Sequence, residues 1–386
     1  MKTYIHQIET LLPSYTAPQN VIARQLGAWS GDPATARLIR HVFLKSGIET
    51  RHSVIPDFTM PDQAELFSED SQGHVNEPST QERNRCFARH AGPMSVELAR
   101  RLVDGRSGFA PGDITHVITV SCTGFVNPGP DYRIVTELGL PATVERYNLG
   151  FMGCYAALPA LRMAQQFCQA RPDAVVLVVC IELCSLHMQM KSTPDSILAN
   201  ALFSDGASAA LVSARPPRPG HAALALNHFC SAIAAEGVCD MAWEIGEKGF
   251  NLVLSSYVPD VIAANVGRIV GDLLSNHELE ISSVPLWAVH PGGRAILDKV
   301  EESLGLEPWQ LEASRDVLRE CGNMSSVTIL FVLKRMLAKH GRESATLAAM
   351  AFGPGLTIET GLFEMVPASR NHVGKLADEE LIEVCP

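Results

Sequence analysis

The 386 residues hold Lys+Arg 31 against Asp+Glu 42, a formal net charge of −11, with 46% hydrophobic and 19% charged residues. That much apolar material builds a large core and excludes a disordered or fibrous chain. The acidic balance argues against nucleic acid or an anionic membrane surface as the main partner; a polyanionic small ligand would need a local basic cluster.

The opening MKTYIHQIETLLPSY carries charges and no continuous apolar run, so no secretory leader is expected. No apolar run reaches the ~18 residues of a membrane-spanning helix, which predicts a cytoplasmic protein with no membrane span. Residues 66–88 are polar and read as a loop running into a helix over 92–103. Strands rich in β-branched residues follow at 115–121, 174–180, 208–213, 284–290 and 345–352. Between them, apolar spacing predicts helices at 154–170, 258–275, 293–304 and 324–340. The alternation predicts an α/β fold with largely buried sheets. ARPPRPG at 214–220 breaks both helix and strand and reads as a connector. It divides the chain into halves at 1–213 and 221–366, with a polar tail at 367–386.

The halves share a pattern. A strand ends at Cys122-Thr123-Gly124, Gly153-Cys154 opens a helix, and AVVLVVC follows. In the second half a strand ends at His290-Pro291-Gly292-Gly293, Gly322-Asn323 opens a helix, and ATLAAMAF follows. This order predicts a duplicated unit whose two helix starts meet in the middle.

The ten cysteines form no CxxC pair, and no His near Cys180 and Cys184 completes a zinc pattern, so no metal is expected. Most are expected to be buried small hydrophobes. Cys154 stands apart: at a helix start, free N–H groups and the macrodipole are expected to lower its pKa. His290 ends a strand, where α/β folds form ligand crevices, and Asn323 precedes a helix. Each also has an ordinary reading, as a packed thiol, a strand-end histidine and an N-cap. Brought together, they suggest a thioester on Cys154, with imidazole and amide donating to a developing enolate. Without a carboxylate to orient the histidine, carbon–carbon bond formation is favoured over hydrolysis.

Several ordered segments carry a resemblance: PSTQERNRCFARHA, PGPDYRIVTELGL, NLGFMGCYAALPALRMA, ALFSDGASAALV, VHPGGRAILDKVEESLGL, CGNMSSVTILFVLK and AFGPGLTIE. Over about residues 1–366 the chain resembles the type III polyketide synthases, the chalcone-synthase-like branch of the thiolase superfamily. The resemblance implies a duplicated αβαβα thiolase fold in a homodimer. It implies decarboxylative Claisen condensation of malonyl-CoA onto an acyl-CoA starter, with no cofactor beyond the coenzyme A thioesters. Cys154 matches the nucleophile; His290 and Asn323 match the pair that drives decarboxylation. Phe203 matches the first gatekeeper, and the second, a phenylalanine in chalcone synthases, aligns with Leu252. Cavity-lining positions match Cys122, Thr123, Cys184, His187, Trp243 and Ser325. Plant enzymes have threonine at positions 184 and 187 and glycine at 243, which puts flavonoid-type cyclisation in doubt. Asn127 falls where the family often has a methionine reaching into the partner's cavity. For coenzyme A, Lys45 matches a tunnel-mouth cation and Ala295 a contact position. The other two cation positions hold Leu38 and His41, so Arg37, Arg40 and Arg51 are the substitutes considered.

VCIELCSLHMQ is nearer to bacterial and fungal members. With Leu252 and the apolar Leu186 and Met188, it favours a medium or long fatty acyl starter and alkylresorcinol or alkylpyrone products. Trp243 could instead block such a tunnel and favour a short or aromatic starter. A ketoacyl-carrier-protein synthase shares the Cys/His/Asn set but needs a basic docking face, against which the acidic balance speaks.

Overall fold

Two helices, Ala157–Ala170 and Thr328–His340, bury so much of their surface that both must be enclosed on more than one side. The structure is a computed structural model that describes residues 1–368 apart from Gly73, Arg106 and Cys239. The two helices lie in one core with strands from both halves of the chain.

The strands form a nine-stranded sheet. Its order is Leu286–Val289, Ala345–Gly353, Thr357–Val366, Ala223–Ile233, Thr3–Leu11, Asp205–Ser213, Val175–Leu183, His116–Ser121 and Glu145–Gly150. Thr3–Leu11 and Ala223–Ile233 pair antiparallel at the centre. Moving outward on either side, two antiparallel pairings are followed by a parallel one. The repeat read from the sequence is therefore present as mirrored strand order. Only the first half adds an outer strand, Glu145–Gly150, parallel to its neighbour.

Period-two alternation explains the layering. Val176, Val178 and Cys180 face the two central helices, as do Leu347, Ala349 and Ala351 from the second half. Val175, Leu177, Val179 and Ile181 face the other way, into a core shared with Thr80–Leu102. Ala348, Met350 and Phe352 pack with Val258–Ser275. The result is five layers, helix–sheet–helix–sheet–helix.

Several boundaries differ from the sequence reading. The helix expected at 92–103 begins at Thr80, because Ser79 and Glu82 form a reciprocal capping box inside the polar stretch. The helix expected from residue 154 begins at Ala157. Thr3–Leu11 and Thr357–Val366 were not anticipated, since polar residues interrupt their apolar pattern. The polar tail expected at 367–386 falls almost wholly outside the described residues. Among those described, no helix is long and apolar enough to cross a membrane.

Leu161 is fully buried in the central helix layer. Leu161→Ala is expected to cost about 2–5 kcal/mol in urea unfolding. Leu44→Ala, on a side chain 69% exposed, should stay within about 0.5 kcal/mol. Equal effects would contradict the layering.

Candidate active site

The two central helices start just after Cys154 and Asn323, so both residues reach one place from opposite halves. Phe151 and Gly153 take positive φ, 61° and 93°, in the turn that presents Cys154. A Cβ at Gly153 would lie 2.3 Å from Pro354 Cδ, so the approach of the 353–356 turn requires glycine. The Gly153 N–H donates to Cys122 Sγ at 2.9 Å, tying the Cys154 turn to the end of strand His116–Ser121.

Cys154, His290 and Asn323 line one cavity of about 360 Å³. Asn323 is held by its backbone, in a parallel bridge with Phe203: its N–H donates to Leu202 O and its carbonyl accepts from Ser204 N, each at 2.9 Å. Its amide is oriented by Oδ1, which accepts from Ser325 N at 2.8 Å, and by Nδ2, which donates to Gly292 O at 3.1 Å. The second Nδ2 hydrogen is directed toward the Cys154 thiol, where a bound oxygen could also meet it. His290 is buried, and neither ring nitrogen has a protein partner.

The electrostatics correct one expectation. The Cys154 thiol is not lowered but pushed up to about 12. Desolvation is the main cause and the Glu182 carboxyl adds to it; the side chains of Ser325 and Asn323 pull the other way. Cys154 also precedes the first helical turn, where the dipole is weaker. Burial alone pushes His290 down to about 3. Burial thus favours the neutral form of both groups lining the cavity.

Phe203, Leu252, Cys122, Thr123, Cys184, Trp243 and Ser325 all line the cavity, as do Lys45 and Ala295. His187 does not. It is buried behind the wall, donating from Nε2 to Thr123 O at 2.7 Å, accepting at Nδ1 from Phe250 N at 3.3 Å, and stacked on the Phe250 ring. It clamps the wall rather than forming it. Arg37 and Arg40 are exposed on the helix Pro33–Lys45 and do not line the cavity. Arg51 is buried, donating to Asn200 O and Phe203 O at the end of helix Pro194–Leu202. It is thus no mouth cation. Leu186 and Met188 lie outside the cavity too; their carbonyls accept from the buried Arg83 guanidinium.

Two residues escaped the sequence reading. Glu182 is fully buried and accepts from Cys122 N, the Thr123 hydroxyl and the Ser326 hydroxyl at 2.9, 3.0 and 2.6 Å. Desolvation pushes its carboxyl up to about 7 against those donors. A lone acidic residue inside the apolar strand VVLVVCIEL was the available signal. The other is Arg294, at the start of helix Arg294–Leu304, which lines the cavity beside Ala295. Potential metal ligands cluster among the described residues at Glu65, Cys86 and His90, none of which lines the cavity. There Arg89 already pairs with Glu65 at 2.5 Å, and burial pushes the Cys86 thiol up to about 12.

Comparison with known proteins agrees with this arrangement. Residues 9–216 match the N-terminal domain model of chalcone and stilbene synthases, and residues 226–367 the C-terminal one. An alpha-pyrone synthesis polyketide synthase-like protein, Pks18 of Mycobacterium tuberculosis, is 31% identical over 94% of this chain and 91% of its own length. The 3,5-dihydroxyphenylacetyl-CoA synthase of Streptomyces toyocaensis is 32% identical over 86% of this chain and 83% of its own. The crystal structure of PKS-I from the brown alga Ectocarpus siliculosus has a TM-score of 0.87 at 30% identity, over 95% of this chain and 98% of that one. That of 1,3,6,8-tetrahydroxynaphthalene synthase from Streptomyces coelicolor A3(2) has a TM-score of 0.84 at 28% identity, over 95% and 100%. The chain belongs to the chalcone and stilbene synthase family, the thiolase-fold type III polyketide synthases, which are acyltransferases.

Proposed function

We propose that this enzyme loads a medium-chain aliphatic acyl group from its coenzyme A ester onto Cys154, extends it with two or three malonyl-CoA units, and closes the product as an alkylpyrone or alkylresorcinol. The observation that carries the chemistry is the convergence of Cys154, His290 and Asn323 on one buried cavity, with both imidazole nitrogens unpartnered. In this reading the thiol gives its proton to His290 as sulfur attacks the starter carbonyl, and the coenzyme A thiolate leaves with that proton. Malonyl-CoA then loses CO₂. The enolate oxygen is held by an N–H of His290 and the second N–H of Asn323; its carbon attacks the Cys154 thioester, the carbon–sulfur bond breaks to release the Cys154 thiolate, and the extended chain remains as its coenzyme A ester, ready to be transferred back to Cys154. A homodimer working in the cytoplasm without a cofactor belongs to the same reading.

The starter follows from the walls. Leu198, Leu202, Leu252, Leu254 and Met241 make much of the cavity apolar, and each methylene buried there contributes about 0.8 kcal/mol. A cavity of about 360 Å³ lies near the lower end of ligand pockets, about 300–1,000 Å³, which favours a medium over a long chain. The alpha-pyrone function in the name of the Mycobacterium relative supports this product class. One observation favours a short or aromatic starter: Trp243 is pinned inside, its indole N–H donating to Cys122 O at 3.2 Å. Incubation with malonyl-CoA and an acyl-CoA series from acetyl to stearoyl, with products read by mass, separates the readings. Turnover of short starters alone would defeat the aliphatic one.

Cys154→Ala is expected to abolish polyketide formation while malonyl-CoA decarboxylation survives; Asn323→Ala should slow decarboxylation by about 10²–10³. Both are read by product mass and CO₂ release, and product from the cysteine variant would refute the assignment. Leu252 pairs across the hairpin Met241–Gly246/Gly249–Leu254 with Trp243, so Leu252→Phe should shift preference to shorter starters. An unchanged chain-length profile would count against the gate. Because Glu182 raises the Cys154 thiol, Glu182→Gln should move the pH profile of Cys154 alkylation by iodoacetamide to lower pH. A profile that stays put would show that burial alone sets the thiol.

A further inference from the structure

We propose that the Glu65 carboxylate, the Cys86 thiolate and the His90 imidazole hold one zinc ion, away from the catalytic cavity, which clamps the 57–67 loop to the long helix Thr80–Leu102. Their ligand atoms all lie within 4.8 Å of one another. Glu65 Oε1 stands 3.9 Å from Cys86 Sγ and 3.9 Å from His90 Nε2. Tetrahedral zinc bonds of about 2.0–2.3 Å set such atoms about 3.3–3.5 Å apart, so these two edges shorten by about 0.5 Å when an ion enters. The cysteine spacing hid the set: Cys86 and His90 make one pair, and the third ligand lies 21 residues before Cys86.

Each ligand is placed by something other than the ion. Cys86 and His90 are four residues apart on one face of the helix. Glu65 is set by Asp57, a fully buried carboxylate that accepts from the N–H groups of Glu65, Leu66 and Phe67 at 2.9, 2.8 and 2.5 Å. Cys86 is buried, whereas the side chains of Glu65 and His90 are 27% and 32% exposed. An ion can therefore enter from solvent and keep a water as its fourth ligand. Zinc suits mixed sulfur, nitrogen and oxygen donors; magnesium and calcium prefer oxygen alone. Burial, with Glu65 adding to it, pushes the Cys86 thiol up to about 12. Zinc replaces the thiol proton, which passes to bulk water. One thiolate and one carboxylate then balance its two charges, and no net charge is left beside the buried sulfur. Arg89 meets Glu65 Oε1 at 2.5 Å, where the ion would bind; its side chain is 61% exposed, and an ion pair so placed contributes little and yields. The clamp reaches further. Arg83 Cζ lies 5.0 Å from the Phe67 ring centroid, and Arg83 holds the carbonyls on either side of His187.

The test uses full-length enzyme stripped with a chelator, titrated with zinc against a chromophoric competitor and, separately, with cobalt(II), whose thiolate charge-transfer band reports sulfur ligation. The wild type should take up one ion at this site, show the band and gain in Tm with zinc but not with magnesium or calcium. Cys86→Ser should lose the band. His90→Ala, at a partly exposed position, should weaken zinc binding more than about 100-fold and remove the Tm gain. Arg89→Ala, which removes the competing cation, should tighten binding by up to about fivefold. Cys154→Ala should keep the ion, which separates this site from the cavity thiols. A wild type that binds no zinc, a His90→Ala enzyme that binds as well as wild type, or a band lost in Cys154→Ala and kept in Cys86→Ser would overturn the proposal. Every readout is of binding, so failure of the starter or product assignment leaves the result intact.

Discussion

One buried carboxyl fastens the two halves of this enzyme together. Glu182 comes from the first half, and its oxygens accept hydrogen bonds from Cys122 and Thr123 of that half and from Ser326 of the other. Through Cys122, whose sulfur receives the Gly153 N–H, it also fixes the turn that carries Cys154. Three loops are thus registered on one side chain. Burying a carboxyl is costly unless donors meet it, and even with these donors it is pushed up to about 7. The sign follows: a folded-state pKa above that of the unfolded chain gives stability that is complete below the ordinary glutamate range and lost as pH rises toward 7. The site accepts that loss in exchange for a wall that does not shift.

The layers were legible in the sequence because periodicity reports burial directly. Helices over 258–275 and 293–304 and the apolar strands near 115–121, 174–180, 208–213, 284–290 and 345–352 follow their spacing closely, whereas Thr3–Leu11 mixes polar residues into a partly buried central strand. Cys154, His290 and Asn323 could be found because each follows or precedes a glycine turn at a strand or helix end. What spacing could not convey is which polar groups face inward. Arg51 looks like any basic residue near Lys45, yet its guanidinium caps the helix that ends at Phe203. His187 sits at the far end of the short 3-10 turn that Cys184 begins, and only the fold shows that Cys184 faces the cavity while His187 braces its outside. Glu182 was hidden for the same reason: its partners are distant in sequence.

The cavity wall formed by Trp243 and Leu252 depends on those braces. Trp243 and Leu252 are cross-strand partners on a two-stranded hairpin, which by itself is a weak element. It gains rigidity from its back side. Phe250 stacks on His187, whose other nitrogen holds Thr123 O, and Arg83 holds the carbonyls on either side of His187. His187 is pushed down to about 3 by burial; it stays neutral, with one nitrogen donating and the other accepting, as both partners require. Trp243 then donates to Cys122 O, so the hairpin is anchored to the residue that donates to Glu182 and accepts from Gly153. The hairpin and the Cys154 turn share one support.

Burial has opposite effects before and during reaction. It pushes the Cys154 thiol up and the His290 imidazole down, each toward its neutral form. Once an acyl ester is in place, low dielectric strengthens each hydrogen bond to charge developing on its oxygen. Asn323 is already oriented for that: its amide plane is fixed by Ser325 N and Gly292 O, with its second hydrogen turned toward the Cys154 thiol. His290 has no protein partner from which to be released. Little rearrangement of the site is required when charge appears, and that preorganisation is what desolvation of the thiol and imidazole provides in return.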